Sequence, residues 1–472
     1  MKKKNLIFPL IAPILLAITS CGGGTPSEEH DPEVQIEEGC PQFVECGNDV
    51  QLAATTLYSD SDKVTWSVDD NLIASITSDG LLTGLRKGHV LAKATSVDNE
   101  EVFQEIDIEV KKNTLIAVTM TDSTNKMKVG ETKKFRAKIE GDSTNSGILW
   151  QVNNQALASV TEDGEVTIHQ LGKDAKIVVT AYSKINPDAF ADVEVTLTAA
   201  DNGDTSVGEI ETKNGYSLIF KDEFDGTRLN KSNWEVMIGD GARYGVAGGW
   251  GNEEKQYYSE DNLKVIDGNL VVTAKNEEHR SDNIRGMSYT SGRIRSKGLV
   301  AYKYGRIEAR ISCPRGNGIW PAFWMLPELT DSNYGGWPNS GEIDIMEVKG
   351  RIPYSMDGTL HYAKTDGNHV YTYESYSFPE GEDITGFHDY AVEWDEGEIR
   401  LYTDDHLYGT FNATNRPWSI KDGTGSFPAP FDKKFHILIN MAVGGNYDGH
   451  RLPDLEDLPA RMSVQHVKWY QK

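Results

Sequence analysis

An internal repeat in the N-terminal half constrains the fold of this chain more than any other feature. Val64–Val68 (VTWSV) matches Ile148–Val152 (ILWQV). In both copies an Ala-Ser-aliphatic-Thr run follows, and then an Asp-Gly pair at 79–80 and 163–164. Both tryptophans and both Asp-Gly pairs lie 84 residues apart, so each copy is the size of a small domain. Because Asp-Gly between alternating strands is typical of a hairpin, the repeat predicts two small β-sandwiches, each with one core tryptophan.

The repeated pattern resembles the bacterial immunoglobulin-like domains of group 2. These domains combine Trp-Ser, a short polar run, Ala-x-Val, Asp-Gly and a second glycine, which here is Gly88 or Gly172. The resemblance implies that both units are spacers. Carbohydrate-binding modules are the alternative interpretation, although a recurrent tryptophan fits core packing better than an exposed sugar platform.

The N-terminus has the pattern of an export signal. Lysines occupy positions 2–4, and the apolar stretch Leu6–Ile18 is too short for a stable membrane span but suits a signal peptide. The stretch ends in Ile-Thr-Ser-Cys at 18–21, which resembles the lipobox of bacterial lipoproteins. The resemblance implies a signal peptide, an acylated Cys21, and localisation at the outer membrane of a Gram-negative bacterium, on the cell surface or periplasmic face. An ordinary cleaved signal with an incidental cysteine is the alternative.

The charge balance restricts the classes of partner. The chain has 47 Lys and Arg residues against 72 Asp and Glu residues, a formal net charge of −25. This surplus repels phosphate backbones, so nucleic acid is not expected as a partner. Ten tryptophans and twenty tyrosines supply flat apolar faces on which sugar rings can rest, which favours a carbohydrate ligand.

Polar segments with glycine and few apolar residues divide the chain into domains. The predicted organisation is a signal peptide (1–20), a lipid-anchored flexible tether (21–45), a first immunoglobulin-like domain (46–112), a second one (113–199), a linker (200–215) and a C-terminal domain (216–472). From Tyr216 onward the composition changes to aromatic residues and long strand-like runs, which predicts one large all-β domain.

Three cysteines remain besides Cys21. Cys40 and Cys46 flank a short segment that a disulfide can close in an oxidising compartment, whereas Cys313 has no evident partner. Their spacing does not fit a zinc site.

The C-terminal domain contains a strand-like segment rich in acids. Gly341–Val348 has the sequence Gly-Glu-Ile-Asp-Ile-Met-Glu-Val. Because side chains alternate along a strand, Glu342 and Asp344 share one face while the isoleucines point into the core. Glu347 then has the wrong parity. A β-bulge that absorbs one residue at 345–346 restores Glu347 to the carboxylate face.

This spacing suits acid and base chemistry on a glycosidic bond. With the bulge counted as one position, the two glutamate α-carbons lie about 13 Å apart at ~3.3 Å per step. Side chains that lean inward leave a gap compatible with the ~5 Å carboxyl separation of retaining glycosidases. Three carboxyls in one cleft cannot all ionise cheaply, so we assign Glu342 as the ionised nucleophile, Glu347 as the protonated acid and Asp344 as a hydrogen-bond partner of Glu342. A solvated acidic face is the alternative that the spacing alone leaves open.

The surrounding motifs resemble glycoside hydrolase family 16, in the laminarinase-like form of its E-x-D-x-x-E signature. The resemblance covers 216–472. Its further motifs, in the family's order, are Phe220–Phe224 (FKDEF), Trp250–Tyr258 (WGNEEKQYY), Ser291–Arg293 (SGR), Gly318–Pro327 (GIWPAFWMLP) and Asn440–Asn446 (NMAVGGN). The resemblance implies a β-jelly roll whose concave sheet forms a sugar-binding cleft, with nucleophile Glu342, assisting Asp344 and acid/base Glu347.

The resemblance also implies four substrate-binding residues. Trp320 and Trp324 are expected to form the cleft wall, and Asn252 and Arg293 to hydrogen-bond glucose hydroxyls. Core packing is the alternative for the tryptophans, and turn or ion-pair roles are the alternatives for the other two. His361 is interpreted as a structural histidine, with a position in the cleft as the alternative.

The chain departs from the family at the C-terminal strand. Many members bind a structural calcium ion with a carboxylate in a Val-Asp-Tyr-Val-type strand, but here Gln465 stands where the acid is expected. An amide oxygen brings no charge to a calcium site. No cofactor is expected to be required, and calcium stays open.

Three functions are therefore considered. The first is endo-hydrolysis of β-1,3-glucan of the laminarin type, extending to mixed β-1,3/1,4-glucan, by a monomeric enzyme. The second is hydrolysis of a red-algal galactan such as agar, porphyran or carrageenan on the same fold. The third is non-catalytic binding of β-glucan.

Overall fold

The computed structural model describes residues 31–472 except 72, 86, 123, 143–146, 173, 278, 282–283, 329–333, 365–366, 416–417 and 419–426. The predicted signal peptide and the lipidation site Cys21 lie outside the described residues. The described part folds into 39 strands with three short 3-10 helices. Within it, we find no helix with the length and apolar character needed to cross a bilayer. The prediction of an all-β fold is confirmed.

The first sandwich contains nine strands. They are β1 (Glu33–Ile36), β2 (Phe43–Glu45), β3 (Asp49–Gln51), β4 (Ala54–Leu57), β5 (Val64–Val68), β6 (Ala74–Ile76), β7 (Leu81–Gly84), β8 (Gly88–Ser96) and β9 (Phe103–Lys111). Its sheets have the orders β2-β9-β8-β5, β3-β7-β6 and β1-β4. They enclose one apolar core that contains Trp66, as the repeat predicts.

The second sandwich repeats this topology strand for strand. Its strands are β10 (Ala117–Met120), β11 (Lys126–Lys128), β12 (Thr132–Lys134), β13 (Ala137–Glu140), β14 (Ile148–Val152), β15 (Ala158–Val160), β16 (Glu165–Ile168), β17 (Lys176–Ser183) and β18 (Phe190–Thr198). Its sheets have the orders β11-β18-β17-β14, β12-β16-β15 and β10-β13. Trp150 packs against the core of this unit.

The two Asp-Gly pairs have a packing role that explains why they recur with the tryptophans. Gly80 has φ +88°, and a β-carbon there would lie 2.8 Å from Nε1 of Trp66. Gly164 has φ +84°, and its β-carbon would lie 2.7 Å from Cε2 of Trp150. Each hairpin thus needs a glycine both for its left-handed backbone and for its close approach to the indole ring.

The fold begins earlier than the sequence analysis expects. Residues 33–45 are assigned there to the tether, but β1 pairs with β4 and β2 pairs in parallel with β9. Val34 and Val44 are buried in the first core. The acidic composition of this stretch hides two strands that each contribute one apolar side chain to a sheet formed by later residues.

The predicted linker 200–215 contacts the domains on both of its sides. Ser206 forms a β-bridge with Gln170 of the second sandwich. Further on, Glu211 accepts a hydrogen bond from Lys468 Nζ at 2.8 Å, and Lys213 forms an ion pair with Glu308 at 3.2 Å. Ion pairs and backbone bonds thus hold a segment whose composition alone suggests a flexible chain.

The C-terminal domain contains 21 strands. They are β19 (Thr212–Lys213), β20 (Tyr216–Asp222), β21 (Glu235–Val236), β22 (Gln256–Tyr258), β23 (Leu263–Ile266), β24 (Asn269–Ala274), β25 (His279–Ser281), β26 (Ile284–Met287), β27 (Tyr289–Ser291), β28 (Arg293–Arg295), β29 (Ala301–Tyr302), β30 (Gly305–Ser312), β31 (Ile319–Pro327), β32 (Glu342–Glu347), β33 (Ser355–Ala363), β34 (His369–Ser377), β35 (His388–Asp395), β36 (Glu398–Thr403), β37 (His406–Asn412), β38 (Phe435–Val443) and β39 (Ala460–Gln471). The 3-10 helices are Ala242–Tyr244, Glu260–Asn262 and Leu455–Asp457.

Two large sheets form this domain. The back sheet has nine strands in the order β19-β20-β39-β30-β35-β36-β37, with β24 and β23 attached through β39. The cleft sheet has eight strands in the order β21-β28-β38-β31-β32-β33-β34, with β29 attached to β38. Between them lies the largest apolar core of the molecule, and every residue of β38 is buried. This sandwich agrees with the predicted jelly-roll architecture.

The three described cysteines are free thiols. Cys46 and Cys313 are buried, and Cys40 Sγ accepts a hydrogen bond from the Ala53 amide at 3.4 Å. The loop between Cys40 and Cys46 is therefore held by strand pairing and this contact.

The second sandwich is docked on strand β20 of the back sheet. Asn154 Nδ2 donates to the Ile219 carbonyl at 3.0 Å, and Gln170 Nε2 donates to the Leu218 carbonyl at 3.0 Å. The backbone amide of Gln155 donates to the Lys221 carbonyl at 3.2 Å, and Gln155 Oε1 accepts a hydrogen bond from the Glu223 amide at 2.7 Å. Side-chain amides of the sandwich thus satisfy backbone groups of the sheet.

Candidate active site

The predicted bulge in the acidic strand is present. β31 pairs Phe323 with Met346 and Trp324 with Asp344, so Ile345 is the extra residue. The β33 side shows the same register shift between Asp344 and Glu347. Both bulge residues are buried in the core. One inserted residue therefore places two successive apolar side chains inside the sandwich and turns Glu347 to the cleft, as the parity argument predicts.

Glu342 lies at the start of β32 and faces the cleft. It pairs across the sheet with His361, whose Nε2 lies 3.9 Å from Glu342 Oε1. Burial raises the pKa of Glu342 to about 8, and the nearby Asp344 adds to the rise, while the charges of His361 and Arg293 oppose it. The Arg293 guanidinium thus favours the ionised form of Glu342.

Glu347 ends the same strand in a different environment. The indole Nε1 of Trp320 donates to Glu347 Oε1 at 3.2 Å, and Thr359 Oγ1 donates to Oε2 at 3.5 Å. Burial raises its pKa to about 8, and the negative charges of Asp344 and Asp357 contribute to the rise. A second carboxylate next to Glu347 favours its protonated form.

Asp344 lies between the two glutamates and is the most buried of the three. Burial raises its pKa well above the usual range for an aspartate, and it hydrogen-bonds Glu342. Its Oδ2 also lies 3.2 Å from His361 Nε2. The bond with Glu342 opposes this rise in the pKa of Asp344. The tuning of Glu342 by Asp344 stays a prediction from the sequence.

The cleft has a volume of about 910 Å³ and contains both glutamates on its wall. Trp320 and Trp324 line it as predicted, and Trp324 Nε1 donates to Asn440 Oδ1 at 2.8 Å. Both indoles also pack against neighbouring rings, so core contact and cleft contact coexist. Each ring is held by a hydrogen bond through its nitrogen and presents part of its surface to the cleft.

Asn252 and Arg293 also line the cleft. Asn252 Nδ2 donates to Glu254 Oε1 at 3.4 Å. The Arg293 guanidinium lies 4.4 Å from the Trp250 ring centroid and 4.9 Å from that of Trp324. Arg293 is buried, and its Nε has no hydrogen-bond partner among the described residues. The structure thus places both predicted ligands at the cleft, with Arg293 held between aromatic faces.

The site belongs to a chain with clear relatives. The profile for glycosyl hydrolases family 16 matches residues 251–443. Glucan endo-1,3-beta-glucosidase A1 of Niallia circulans is 40% identical over 268 residues, which are 55% of this chain and 38% of that protein. Beta-glucanase of Rhodothermus marinus is 36% identical over 267 residues, which are 54% of this chain and 85% of that protein. The chain belongs to glycosyl hydrolase family 16.

The chain is also similar to a glucan-binding protein, and its first sandwich matches a known domain family. The beta-1,3-glucan-binding protein of Penaeus monodon is 31% identical over 283 residues, which are 48% of this chain and 74% of that protein. The profile for the bacterial Ig-like domain (group 2) matches residues 42–105, which confirms the predicted resemblance of the first sandwich. The chain spans little more than a third of the Niallia circulans protein.

One histidine of the family 16 domain is closer to the chemistry than the sequence analysis expects. His361 is interpreted there as structural, but the structure places it against Glu342 and Asp344. Its Nδ1 lies 2.9 Å from Nε2 of His369, and the two rings stack. The interpretation is based on the short Leu-His-Tyr motif, which does not show that β33 pairs directly with β32.

Other cleft residues of the family 16 domain lie outside the sequence motifs that resemble the family. They are Trp337, His369, Tyr371, Tyr373, Asp357, Lys349 and Tyr447. Tyr447 donates from its hydroxyl to Asp357 Oδ2 at 2.7 Å, and its ring lies 5.0 Å from that of Trp320. Several of these residues come from segments far apart in sequence, so only the tertiary fold brings them together.

The C-terminal strand of the family 16 domain does not fit a calcium site at Gln465. Gln465 Oε1 accepts a hydrogen bond from Arg310 Nε at 3.0 Å. Arg310 also forms an ion pair with Asp389 at 3.1 Å. A guanidinium therefore stands where a cation would bind the amide oxygen, and no step of the chemistry is assigned to a metal.

Proposed function

We propose that this family 16 protein is a retaining endo-glycoside hydrolase that cleaves β-1,3-glucan of the laminarin type, with mixed β-1,3/1,4-glucan as a further substrate. One observation carries the proposal: the bulge in β32 places Glu342 and Glu347 on one face, in a cleft walled by Trp320 and Trp324. Two of the relatives are named as a glucan endo-1,3-beta-glucosidase and a beta-glucanase, which supports a β-glucan as substrate.

In the first step, the Glu342 carboxylate attacks the anomeric carbon of the sugar on one side of the scissile bond. The bond from that carbon to the glycosidic oxygen breaks, and its electron pair stays on the oxygen. Glu347 donates its proton to this oxygen, so that the leaving chain departs as a neutral alcohol. The products are a glycosyl ester on Glu342 and an ionised Glu347.

In the second step, water attacks the anomeric carbon. Glu347 now accepts a proton from that water, and the ester bond breaks with its electron pair returning to Glu342. The sugar is released with its original anomeric configuration, and both carboxyls return to their starting states.

The neighbours of the two glutamates support this assignment of roles. Arg293 favours the ionised form of Glu342, whereas Asp357 favours the protonated form of Glu347. In the proposed mechanism, a protonated Asp344 donates a hydrogen bond to the Glu342 carboxylate and stabilises its negative charge before attack and after release. Burial and Asp344 raise the pKa of both glutamates to about 8, so the assignment of roles rests on these unlike neighbours and not on a difference between the two pKa values.

Two alternatives are tested with the same experiment. A red-algal galactan is a second candidate substrate, because the mechanism is independent of the sugar in the cleft. Non-catalytic binding is a second candidate activity, and one relative is named as a beta-1,3-glucan-binding protein. Retention of both Glu342 and Glu347 favours catalysis over binding alone.

The test is the release of reducing sugar from laminarin, curdlan, mixed-linkage β-glucan, agarose, porphyran and κ-carrageenan, with Glu342→Ser as the control. We expect activity on laminarin that the substitution abolishes, and a proton NMR time course that shows retention at the anomeric carbon. Activity on a galactan alone would overturn the substrate. Inactivity on all six polysaccharides would favour the binding protein.

We propose further that the mature protein begins at an acylated Cys21 and is a monomer at the outer membrane. The proposed domain bounds are 46–112, 113–199 and 216–472, and the first domain is extended toward the N-terminus to include β1 and β2. The lipobox-like residues 18–21 support the anchor. Mass spectrometry of the membrane fraction tests it, and a mature N-terminus without a diacylglycerol adduct would overturn it.

A further inference from the structure

The outer strand of the cleft sheet carries exposed aromatic rings. β34 is the edge strand, and its side chains alternate between exposed and partly buried positions. Tyr371 is 61% exposed and Tyr373 is 50% exposed. Trp337, which lies between β31 and β32, is 52% exposed, and its ring lies 4.6 Å from that of His369. We call Trp337, His369, Tyr371 and Tyr373 the edge platform.

The edge platform is not part of the hydrophobic core. Val370 and Tyr376, on the opposite face of β34, pack against the core between the two sheets. The alternation of side chains therefore turns the platform residues toward the cleft. Large exposed aromatic side chains on an edge strand favour unwanted association, and a soluble domain retains such a patch chiefly where it binds something.

The edge platform is continuous with the catalytic centre. Glu342 pairs with His361, and His361 pairs with Tyr371, so these three side chains form one row across the sheet. The next row begins at Asp344 and ends at Tyr373. Two strand spacings separate the carboxylates from the tyrosines, which is about 10 Å or the span of about two pyranose rings. All four platform residues line the same cavity as the glutamates.

Aromatic side chains therefore line the cleft on both sides of β32. β31 supplies Trp320 and Trp324 on one side, and β34 supplies the edge platform on the other. A glucan that crosses the strands from β31 to β34 passes the glutamates between these two surfaces. The rings of Tyr371 and Tyr373 lie 6.1 Å apart at an angle of 35°, a spacing at which successive sugar units can rest on them.

We propose that the edge platform binds about two further sugar units of the substrate, on the side of the scissile bond opposite Trp320 and Trp324. This inference rests on the proposed function. The platform makes the enzyme select long chains, because short oligosaccharides that fill the centre of the cleft do not reach Tyr371 and Tyr373. Stacking on an aromatic face needs no particular hydroxyl pattern, so the platform also tolerates a change of linkage at these units.

The test compares kcat/KM on laminaritriose and laminariheptaose for the full chain and three variants. They are Tyr371→Ala, Tyr373→Ala and the double substitution. We expect each single substitution to lower kcat/KM on the heptaose about three- to tenfold, with the triose unchanged. Tyr371→Phe keeps the ring and should retain activity on the heptaose. Tyr354→Ala is the matched control, since Tyr354 is 58% exposed and lies outside the cleft.

The outcomes separate this inference from the proposed function. A wild-type enzyme that cleaves both oligosaccharides, with a double variant that loses nothing or loses the same factor on both, would overturn the edge platform alone. A wild-type chain that cleaves neither would overturn the proposed function. Calorimetry with laminariheptaose then decides the platform: weaker binding by the double variant supports it, and equal or absent binding overturns it.

Discussion

The cleft sheet and the back sheet both bury carboxylates, but they surround them with opposite partners. On the back sheet, Glu393 accepts hydrogen bonds from Arg306 Nη1 at 3.1 Å and from Arg400 Nη2 at 3.0 Å. Burial acts to raise the pKa of Glu393, and bonds from these and other donors outweigh it, so that the pKa is lowered. On the cleft sheet, burial of Asp344 is not offset, and its pKa is raised.

The comparison shows what distinguishes a carboxylate that only stabilises this domain from one that can exchange a proton near neutral pH. Where a buried acid meets a guanidinium, the pair is a fixed part of the fold and its charge does not change with pH near neutrality. Where buried acids meet mainly one another, their protons are shared at ordinary pH and can be transferred. Glu393 and Asp344 are each 3% exposed, so their exposure does not separate the two roles, whereas their partners do.

The largest effect is expected from exchanging one carboxyl of each sheet for its amide. Glu347→Gln should lower kcat on laminarin by about 10²- to 10⁴-fold, because the glycosidic oxygen then receives no proton from the enzyme. Glu393→Gln is the matched change on the back sheet and should leave kcat per folded molecule unchanged. Steady-state kinetics on protein checked by circular dichroism measures both, and a comparable loss in Glu393→Gln would contradict the comparison.

Removing the cation of the back sheet should cost stability rather than activity. Arg306 is fully buried, with Nε 2.8 Å from Glu308 Oε2 and Nη1 bonded to Glu393. Arg306→Met leaves both acids without this partner, which should destabilise the domain by about 3–5 kcal/mol. The control is Arg295→Met, whose partly exposed pair with Glu235 should contribute less than about 1 kcal/mol. Urea unfolding compares them, and equal losses would show that burial of the pair is irrelevant.

Asp344→Asn should make the protein more stable while it lowers activity. The folded pKa of Asp344 is above its unfolded value, so the acid's contribution to stability is fully present only at low pH and is lost as the pH rises. The amide avoids this loss. At pH 8 we expect the variant to melt at a higher temperature than wild type, by about 2–4 °C for each kcal/mol gained in the free energy of unfolding. Near pH 3 we expect the two melting temperatures to be equal. A difference that does not change with pH would contradict the raised pKa.

The smallest effect is expected from chelation. Because Arg310 donates to Gln465 where a calcium ligand is expected, EDTA should shift the melting temperature by less than about 1 °C. A Gln465→Asp variant strengthens the pair with Arg310 and should be equally insensitive. A fall of several degrees in EDTA that calcium reverses would show a metal site elsewhere in the chain.

Much of the fold and the centre of the site could be predicted from the sequence because both depend on local periodicity. The 84-residue repeat predicts two sandwiches, and the parity of Glu347 predicts a bulge before any strand is paired. Both inferences need only the alternation of side chains along a strand. The place of Trp320 and Trp324 at the cleft was predicted from the resemblance of their motif to family 16.

The rest depends on which strands become neighbours, and the sequence does not show this. Tyr371 and Tyr373 alternate with partly buried residues, a pattern that indicates a strand, but their place next to the cleft follows only from the pairing of β33 with β34. The same holds for His361, whose importance comes from its position opposite Glu342. The prediction of a tether at 33–45 was wrong for a related reason, since the residues that pair with these strands come 18 to 24 and 66 residues later.

The docking of the second sandwich also bears on the solubility of the catalytic domain. Strand β20 has only the two-residue β19 as its outer neighbour in the back sheet, so most of its outer edge would otherwise be open. Asn154, Gln155 and Gln170 cap carbonyls along that edge. A chain cut back to Tyr216 would present these carbonyls as a template for the strand of another molecule. The immunoglobulin-like unit therefore covers a strand edge at which another molecule could otherwise pair with the family 16 domain.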